Sequence, residues 1–532
     1  MNRKSRDVTA FLPRDAKFCQ FCVILPTNLQ DFPVGFSFVS PNVRNKKPPS
    51  TNNKKNLCEV WMDGIKRRRS LRIPAKASVW YIASSAFARS ISVVGTPIFT
   101  RLLDAEEYGI FPRYMTYFSL VSVIATLELS GGVILRGLQK FEDKSDGFIS
   151  SAVGLTSCVW AAISLLLFTF SAIFGDFIGL GRGFILVMLV HILLNAIISI
   201  YTAEAKFRYK YRLVALVNIA TSVLTPAVSV LFIAALGSGG YGRIYAAVLS
   251  AGAVALPFLY IIFKRSKRLY DGDVWRFLLR FNLPLLPHYL FSSVIIRIGE
   301  VALSHLHGTA ALAKYSVAMS VGLSLTVITN GLLSALSPWV LRRIRAGEIG
   351  RMRSLLFYAT ALLSLIALLI LSIVPETIRI IAPPEYHECL FAVYPLALSV
   401  LPSFLSSAVV SGELYYERSG VTSIPTVAAG VVAVVLTLLL SPIIDYRLVA
   451  VFVPIAYSVS CLLNCYIFRR MSGEAPVDLR SCSLIYLFTV GYAMLSFSLR
   501  GYLIVRLLLA VPLLFTLYKI GRRIYGEVRE AA

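Results

Sequence analysis

The chain has 532 residues, of which 57% are hydrophobic and only 15% charged, with a mean hydropathy of +0.71. A soluble domain carries roughly 25% charged residues because its exterior faces water, so this composition argues against a soluble enzyme and for a bilayer. The formal net charge of +25 is dispersed as short basic clusters between apolar runs; a nucleic-acid reader needs a continuous basic face, so no nucleic-acid partner is expected.

Residues 1–61 stand apart from the rest. The tract Asn45–Asn56 (NKKPPSTNNKKN) cannot bury a core and is expected to be disordered. The apolar stretch Phe18–Leu25 is too short to span a bilayer, and no small-residue cleavage site follows it. Cys19 and Cys22 form a lone CxxC without a second pair, so no metal site is expected. Met62 opens a more ordinary start, MDGIKRRRSLRIP. The expectation is that translation begins there, leaving 1–61 a spurious extension and 62–76 a basic cytoplasmic segment.

From residue 77 onward, apolar runs of about 20 residues recur, the length needed to cross roughly 30 Å of hydrocarbon as helix. Backbone groups in lipid must be satisfied within the segment, which excludes open strands. Six predicted spans lie near 77–98, 109–133, 148–174, 183–203, 213–236 and 242–263, an N-terminal bundle over 77–263. A cytoplasmic linker, 264–280, leads to spans near 281–304, 315–340, 355–374, 390–411, 424–443 and 446–467, a second bundle over 281–467. Two additional helices, near 483–499 and 501–519, and a cytoplasmic tail complete residues 468–532. The predicted class is an all-α polytopic membrane protein of about 14 helices: two pseudo-symmetric six-helix bundles plus two C-terminal helices.

Loop charge supports that count. Cations crowd the segments Lys66–Lys76, Lys206–Arg212, Lys264–Arg280, Arg342–Arg353, Arg469–Arg480 and Lys519–Arg529. The alternate loops hold mostly one each: Arg182, Arg243, Arg379, Arg447 and Arg500. Cations in short loops mark the cytoplasmic side, which puts both termini in the cytoplasm of a multi-pass cell-membrane protein.

Two stretches read as copies of one unit: Leu103–Leu120 (LDAEEYGIFPRYMTYFSL) and His307–Leu325 (HGTAALAKYSVAMSVGLSL), with Tyr108 and Tyr315 at matching places 207 residues apart. Six spans fit in that offset, so the copies run parallel, related by an axis along the membrane normal.

A charge at mid-span costs about 2.5–3.5 kcal/mol on insertion scales, so each needs a reason. Arg89 lies mid-span in the first helix; Arg297 and Glu300 lie in the seventh, three residues apart and on one face. The repeat offset carries Arg89 to within one residue of Arg297. Paired arginines facing a shared cavity would receive phosphate; the competing reading is a structural ion pair of Arg297 with Glu300. Arg113 and Glu128 lie nearer helix ends and are expected to reach the interface. Pro97, Pro284, Pro287 and Pro402 fall within or beside spans and are expected to bend them.

Other signals have bland readings. Asp271-Gly272-Asp273 imitates a metal-binding DxD but is expected to be a turn, and Gly237–Gly242 (GSGGYG) an outer turn. His305 and His307 lack further metal ligands. His191 and Asn195, one turn apart, line a polar path or bond between helices. Cys461 and Cys465 share a helix face and suit core packing. No nucleophile–base pair is present, so catalysis has no site and no cofactor is implied.

Thr96–Phe111 (TPIFTRLLDAEEYGIF) and Glu128–Leu138 (ELSGGVILRGL) resemble the opening of Wzx-type polysaccharide/O-antigen flippases. These belong to the multidrug/oligosaccharidyl-lipid/polysaccharide exporter superfamily. Asn282–Leu290 (NLPLLPHYL) and Lys314–Leu325 (KYSVAMSVGLSL) are similar to the start of the second half in the same proteins. The resemblance covers residue 77 to about 520. It implies alternating access, an oligosaccharide on a polyprenyl pyrophosphate as cargo, membrane lipids as surroundings and association with polysaccharide assembly proteins. Na⁺ or H⁺ coupling stays open. Cationic cavity residues are implied too, with Arg89 and Arg101 nearest by position; some relatives carry an Asp-Arg pair in the seventh span, where this chain has Arg297 followed by Glu300.

The expected function is therefore a flippase for lipid-linked oligosaccharide. One rival is a multidrug or cation antiporter on the same fold, which would favour mid-span acids over arginines. The other is a membrane glycosyltransferase or polymerase, for which the outer loops are too short to hold catalytic acids.

Overall fold

The computed structural model describes residues 80–413 and 423–531; the expectations for 1–61 and 62–76 fall outside these residues. No strand occurs among the described residues. The first half comprises α1 (Trp80–Leu102), α2 (Ala105–Thr126), α3 (Val133–Lys140), α4 (Ser145–Thr169), α5 (Ser171–Ile178), α6 (Arg182–Phe207), α7 (Tyr211–Leu236) and α8 (Tyr241–Arg265). A connecting helix, α9 (Gly272–Asn282), leads into the second half: α10 (Leu286–Leu306), α11 (Gly308–Gly322), α12 (Thr326–Arg345), α13 (Ile349–Ile381), α14 (Leu390–Leu398), α15 (Val400–Glu413), α16 (Ser423–Leu440) and α17 (Phe452–Ser472). The last two helices are α18 (Leu479–Ser498) and α19 (Leu503–Ala531).

Among the described residues, 13 helical segments are long and apolar enough to cross a membrane. The remaining predicted span, near 109–133, corresponds to α2. Its 22 residues have the length, but its middle is more polar than a lipid-facing helix. The reason is its position: Arg113, Tyr114, Thr116 and Tyr117 all bond to other helices rather than face lipid. Asp104 starts α2 by accepting the Glu107 N–H at 2.8 Å, which satisfies one of the four orphan donors of a helix start. The helix ends where Leu127 and Glu128 take positive φ, 53° and 46°.

In the first half α8 packs on α6 and α7, and α4 on α6; in the second, α10 packs on α16, and α17 on α15 and α16. The two terminal helices, α18 and α19, lie against α13. The halves meet where α2 packs on α10 and α11, so the two helices that carry the matching stretches with Tyr108 and Tyr315 lie against each other. Tyr108 and Tyr315 are both buried. Gly109 lets the backbones close: a Cβ there would strike the Thr309 carbonyl, so a side chain would force the seam apart.

Two predicted spans are broken. The eighth divides at Leu323–Leu325 between α11 and α12, and the tenth at Ser399 between α14 and α15. Gly322 marks the crossing of the two broken helices, since a Cβ there would lie 2.8 Å from the Leu396 Cβ and 3.0 Å from the Val393 carbonyl oxygen.

The linker carries structure that was not anticipated. Asp271, expected in a simple turn, is the N-cap of α9 and accepts the N–H groups of Asp273 and Val274. Trp275 of α9 donates to the Ser151 carbonyl at 3.1 Å, and Asn282 donates to the Leu127 carbonyl, fastening the linker helix to the first half. Gly237 and Gly239 adopt positive φ in the α7–α8 turn, as the glycine run suggested. Cys461 and Cys465 are buried in the core of the second half.

Candidate functional site

The seam is where the sequence-predicted charges collect. Arg89, on α1, reaches across it and donates through Nη2 to the carbonyls of Met319 (3.4 Å) and Ser320 (3.3 Å). Both carbonyls belong to the last turn of α11, where the break in the eighth span ends the regular ladder. The Met319 carbonyl also accepts the Leu323 N–H, so Arg89 shares that oxygen with the helix backbone. That local role leaves Arg89 underused: its Nε is buried without a partner.

Arg297, on α10, is committed. Its Nη1 donates to Glu300 Oε2 at 2.7 Å, and the Glu300 side chain is 3% exposed. The same oxygen accepts the Thr116 hydroxyl of α2 at 2.7 Å, so the pair ties α10 to α2 across the seam. Arg113 does not reach outward to an interface; its Nη2 donates to Thr309 Oγ1 at 2.8 Å and to the Ser304 carbonyl at 3.3 Å. Nearby, the Tyr117 hydroxyl and His305 Nε2 are 2.8 Å apart.

Arg101 is not brought to this group. It is exposed at the end of α1 and donates to the Pro97 and Ile380 carbonyls, both at 3.0 Å, tying α1 to the C-terminal end of α13. His191 is buried in the first half, with Nδ1 3.0 Å from the Tyr114 hydroxyl and its ring 4.5 Å from that of Phe118. It bonds between helices, from α6 to α2. Asn195 does line a cavity, of about 180 Å³, together with Glu128, Ser130 and Thr156, but this lies within the first half.

A second cavity, of about 190 Å³, adjoins the seam. It is enclosed by α1, α2, α7 and α8, and Ser320 of α11 contributes to its wall. Sequence reasoning missed its one cation. Arg243 was counted as a loop charge, yet it is the third residue of α8 and lines this cavity. Its guanidinium carbon sits 4.4 Å from the Phe99 ring centroid, 4.8 Å from Tyr108 and 4.4 Å from Phe111. No local spacing announces that arrangement, because the three rings come from two other helices. Among the described residues no group of three or more His, Cys, Asp or Glu side chains could hold a metal ion.

Comparison with known proteins follows the same lines. A family model described as polysaccharide biosynthesis protein matches residues 75–344. No curated protein sequence matches the chain significantly. Solved structures similar to it in fold include three of known class. The lipid II flippase MurJ, in an inward closed conformation, aligns with a TM-score of 0.63 and 14% identity, over 84% of this chain and 99% of that one. An inward-facing multidrug resistance MATE family transporter of the MOP superfamily aligns at 0.60 and 14%, over 72% and 94%. A MOP superfamily transporter from Pyrococcus furiosus aligns at 0.55 and 16%, over 75% and 96%. At such identities the likeness establishes a shared fold.

Proposed function

We propose that this chain, which belongs to the polysaccharide biosynthesis protein family, is a flippase that carries an oligosaccharide linked to polyprenyl pyrophosphate across the cell membrane. The observation that carries the reading is Arg89: a cation on the seam between two helix bundles, with donor capacity the protein leaves unused. Guanidinium is permanently charged and matches phosphate oxygens in geometry. In this reading Arg89 takes the pyrophosphate, while Arg297, neutralised by Glu300, ties α10 to α2 beside it. Both termini lie in the cytoplasm, and residues 77–263 and 281–467 rock against each other.

The physical task explains why a seam suits it. A sugar headgroup cannot enter hydrocarbon, whereas its lipid tail never has to leave. A cleft between two bundles lets the head cross while the tail stays in the bilayer. Each negative charge exported from a cytoplasm at −100 mV gains about 2.3 kcal/mol, so the membrane potential favours export. Coupling to Na⁺ or H⁺ would show as a rate that follows that ion's gradient.

The test is transport of a lipid-linked oligosaccharide in proteoliposomes. Arg89→Gln should lower the rate by about tenfold or more, the equivalent of one charge-assisted hydrogen bond, while Arg101→Gln leaves it unchanged. Equal rates in wild type and Arg89→Gln would remove the basis of the proposal. Transport of a hydrophobic cation instead, indifferent to Arg89, would establish the antiporter alternative.

A further inference from the structure

The Arg243 cavity has a chemistry that a lipid pyrophosphate alone does not use. The guanidinium is boxed by three aromatic rings at 4.4–4.8 Å, a cation–π arrangement that holds the charge in place. Its Nη1 is buried and has no hydrogen-bond partner. Among the described residues, Arg243 takes part in none of the ion pairs. An intramembrane cation lacking an acidic partner points to a ligand that supplies one.

The rest of the wall says which ligand. Ser92, Thr96, Thr221, Ser222 and Ser229 surround the space together with Ser320. Several of these hydroxyls already donate to their own helix: Thr96 to Ser92, Thr221 to Val217, Ser222 to Ile219 and Ser229 to Thr225. Their oxygens therefore remain as acceptors. A wall of acceptors with one boxed cation complements a molecule bearing several hydroxyl donors and one anionic group. That is the description of a sugar acid. Inorganic phosphate, short of hydroxyl donors, leaves the acceptors unmatched.

We infer that the Arg243 cavity is a subsite for one carboxylate-bearing sugar of the headgroup, with Arg243 gripping the carboxylate and the seryl and threonyl oxygens accepting the ring hydroxyls. The inference rests on the flippase reading for its cargo and extends it to the cargo's composition. The geometry joins the two sites. Ser320 lines the cavity and its carbonyl accepts from Arg89. Along α1, Arg89 and Phe99 are separated by on the order of 15 Å at 1.5 Å per residue. A headgroup with its phosphate at Arg89 would thus place a sugar a few units along the chain in the Arg243 box.

Direct binding tests this without any transport. Purified full-length protein in nanodiscs is titrated by calorimetry with methyl glucuronide, methyl glucoside and inorganic phosphate. The glucuronide should bind about tenfold or more tightly than the glucoside, as expected for one charge-assisted contact. Arg243→Gln should abolish that preference, Arg243→Lys should retain part of it, and Arg89→Gln should leave it intact. Equal affinity for the two sugars, a preference that survives Arg243→Gln, or phosphate binding tighter than glucuronide would each overturn the inference. The wild-type sugar comparison needs no variant to fold. If the glucuronide preference holds while lipid-linked oligosaccharide transport is absent, the transport reading fails and the sugar-acid subsite stands.

Discussion

Arginines with buried nitrogens occupy two regions of this protein, and they differ in how fully the protein uses them. Arg506, on α19, is completely buried and each of its nitrogens is bonded: Nε donates to the Leu499 carbonyl, Nη1 to the Ser372 carbonyl and Nη2 to Glu376 of α13. It holds the terminal helix to the second half. Arg89 and Arg243, at the seam and beside it, each keep a buried nitrogen without a partner. A guanidinium has five N–H donors in a fixed fork. Where the protein fills them the residue fastens; where it leaves them open it is available to a ligand. Sequence does not tell them apart: Arg89 and Arg506 are single cations in apolar runs, and Arg243 reads as a loop charge.

Substitutions can break or sharpen that contrast. Arg506→Leu should have the largest effect on stability, about 3–5 kcal/mol, because it removes a fully buried guanidinium's bonds and leaves Glu376 only the 4.0 Å contact with Arg379. Thermal unfolding in detergent reads the loss, and adding Glu376→Gln should recover much of it. Gly109→Leu comes next: driving a side chain into the Thr309 carbonyl should cost about 1–3 kcal/mol. It should also open the seam, measurable as faster proteolysis of the outer loops. Asp271→Ala removes the α9 cap for about 1 kcal/mol and should spare transport. Arg89→Gln should be smallest in stability, near the 0.5–1.5 kcal/mol of a net hydrogen bond, yet largest in its effect on transport. If Arg89→Gln proved as destabilising as Arg506→Leu, the seam arginine would be a fastener too and the contrast would collapse.

The helices and their approximate ends were legible because apolar runs of spanning length have few other uses. Tyr108 and Tyr315 suggested an internal repeat, although nothing in the sequence said that the helices carrying them, α2 and α11, would pack on each other. The pairing of Arg297 with Glu300 followed from helical spacing, but its third member, Thr116, comes from a helix 184 residues away. The α9 helix was missed for a reason of scale. Its 11 residues are too few to span, and a search for spans passes over a short amphipathic helix lying beside one.

Composition and local periodicity determined that the chain is a polytopic helical membrane protein with few, costly charges inside its apolar runs. Those are properties of single segments, set by the bilayer's demand that each helix satisfy its own backbone. Which arginines fasten and which stay open was decided only by tertiary structure. The answer depends on whether other helices bring carbonyls, carboxylates or merely aromatic rings to the same guanidinium. Phe99, Tyr108 and Phe111 meet Arg243 through packing alone, and no one-dimensional pattern encodes that meeting.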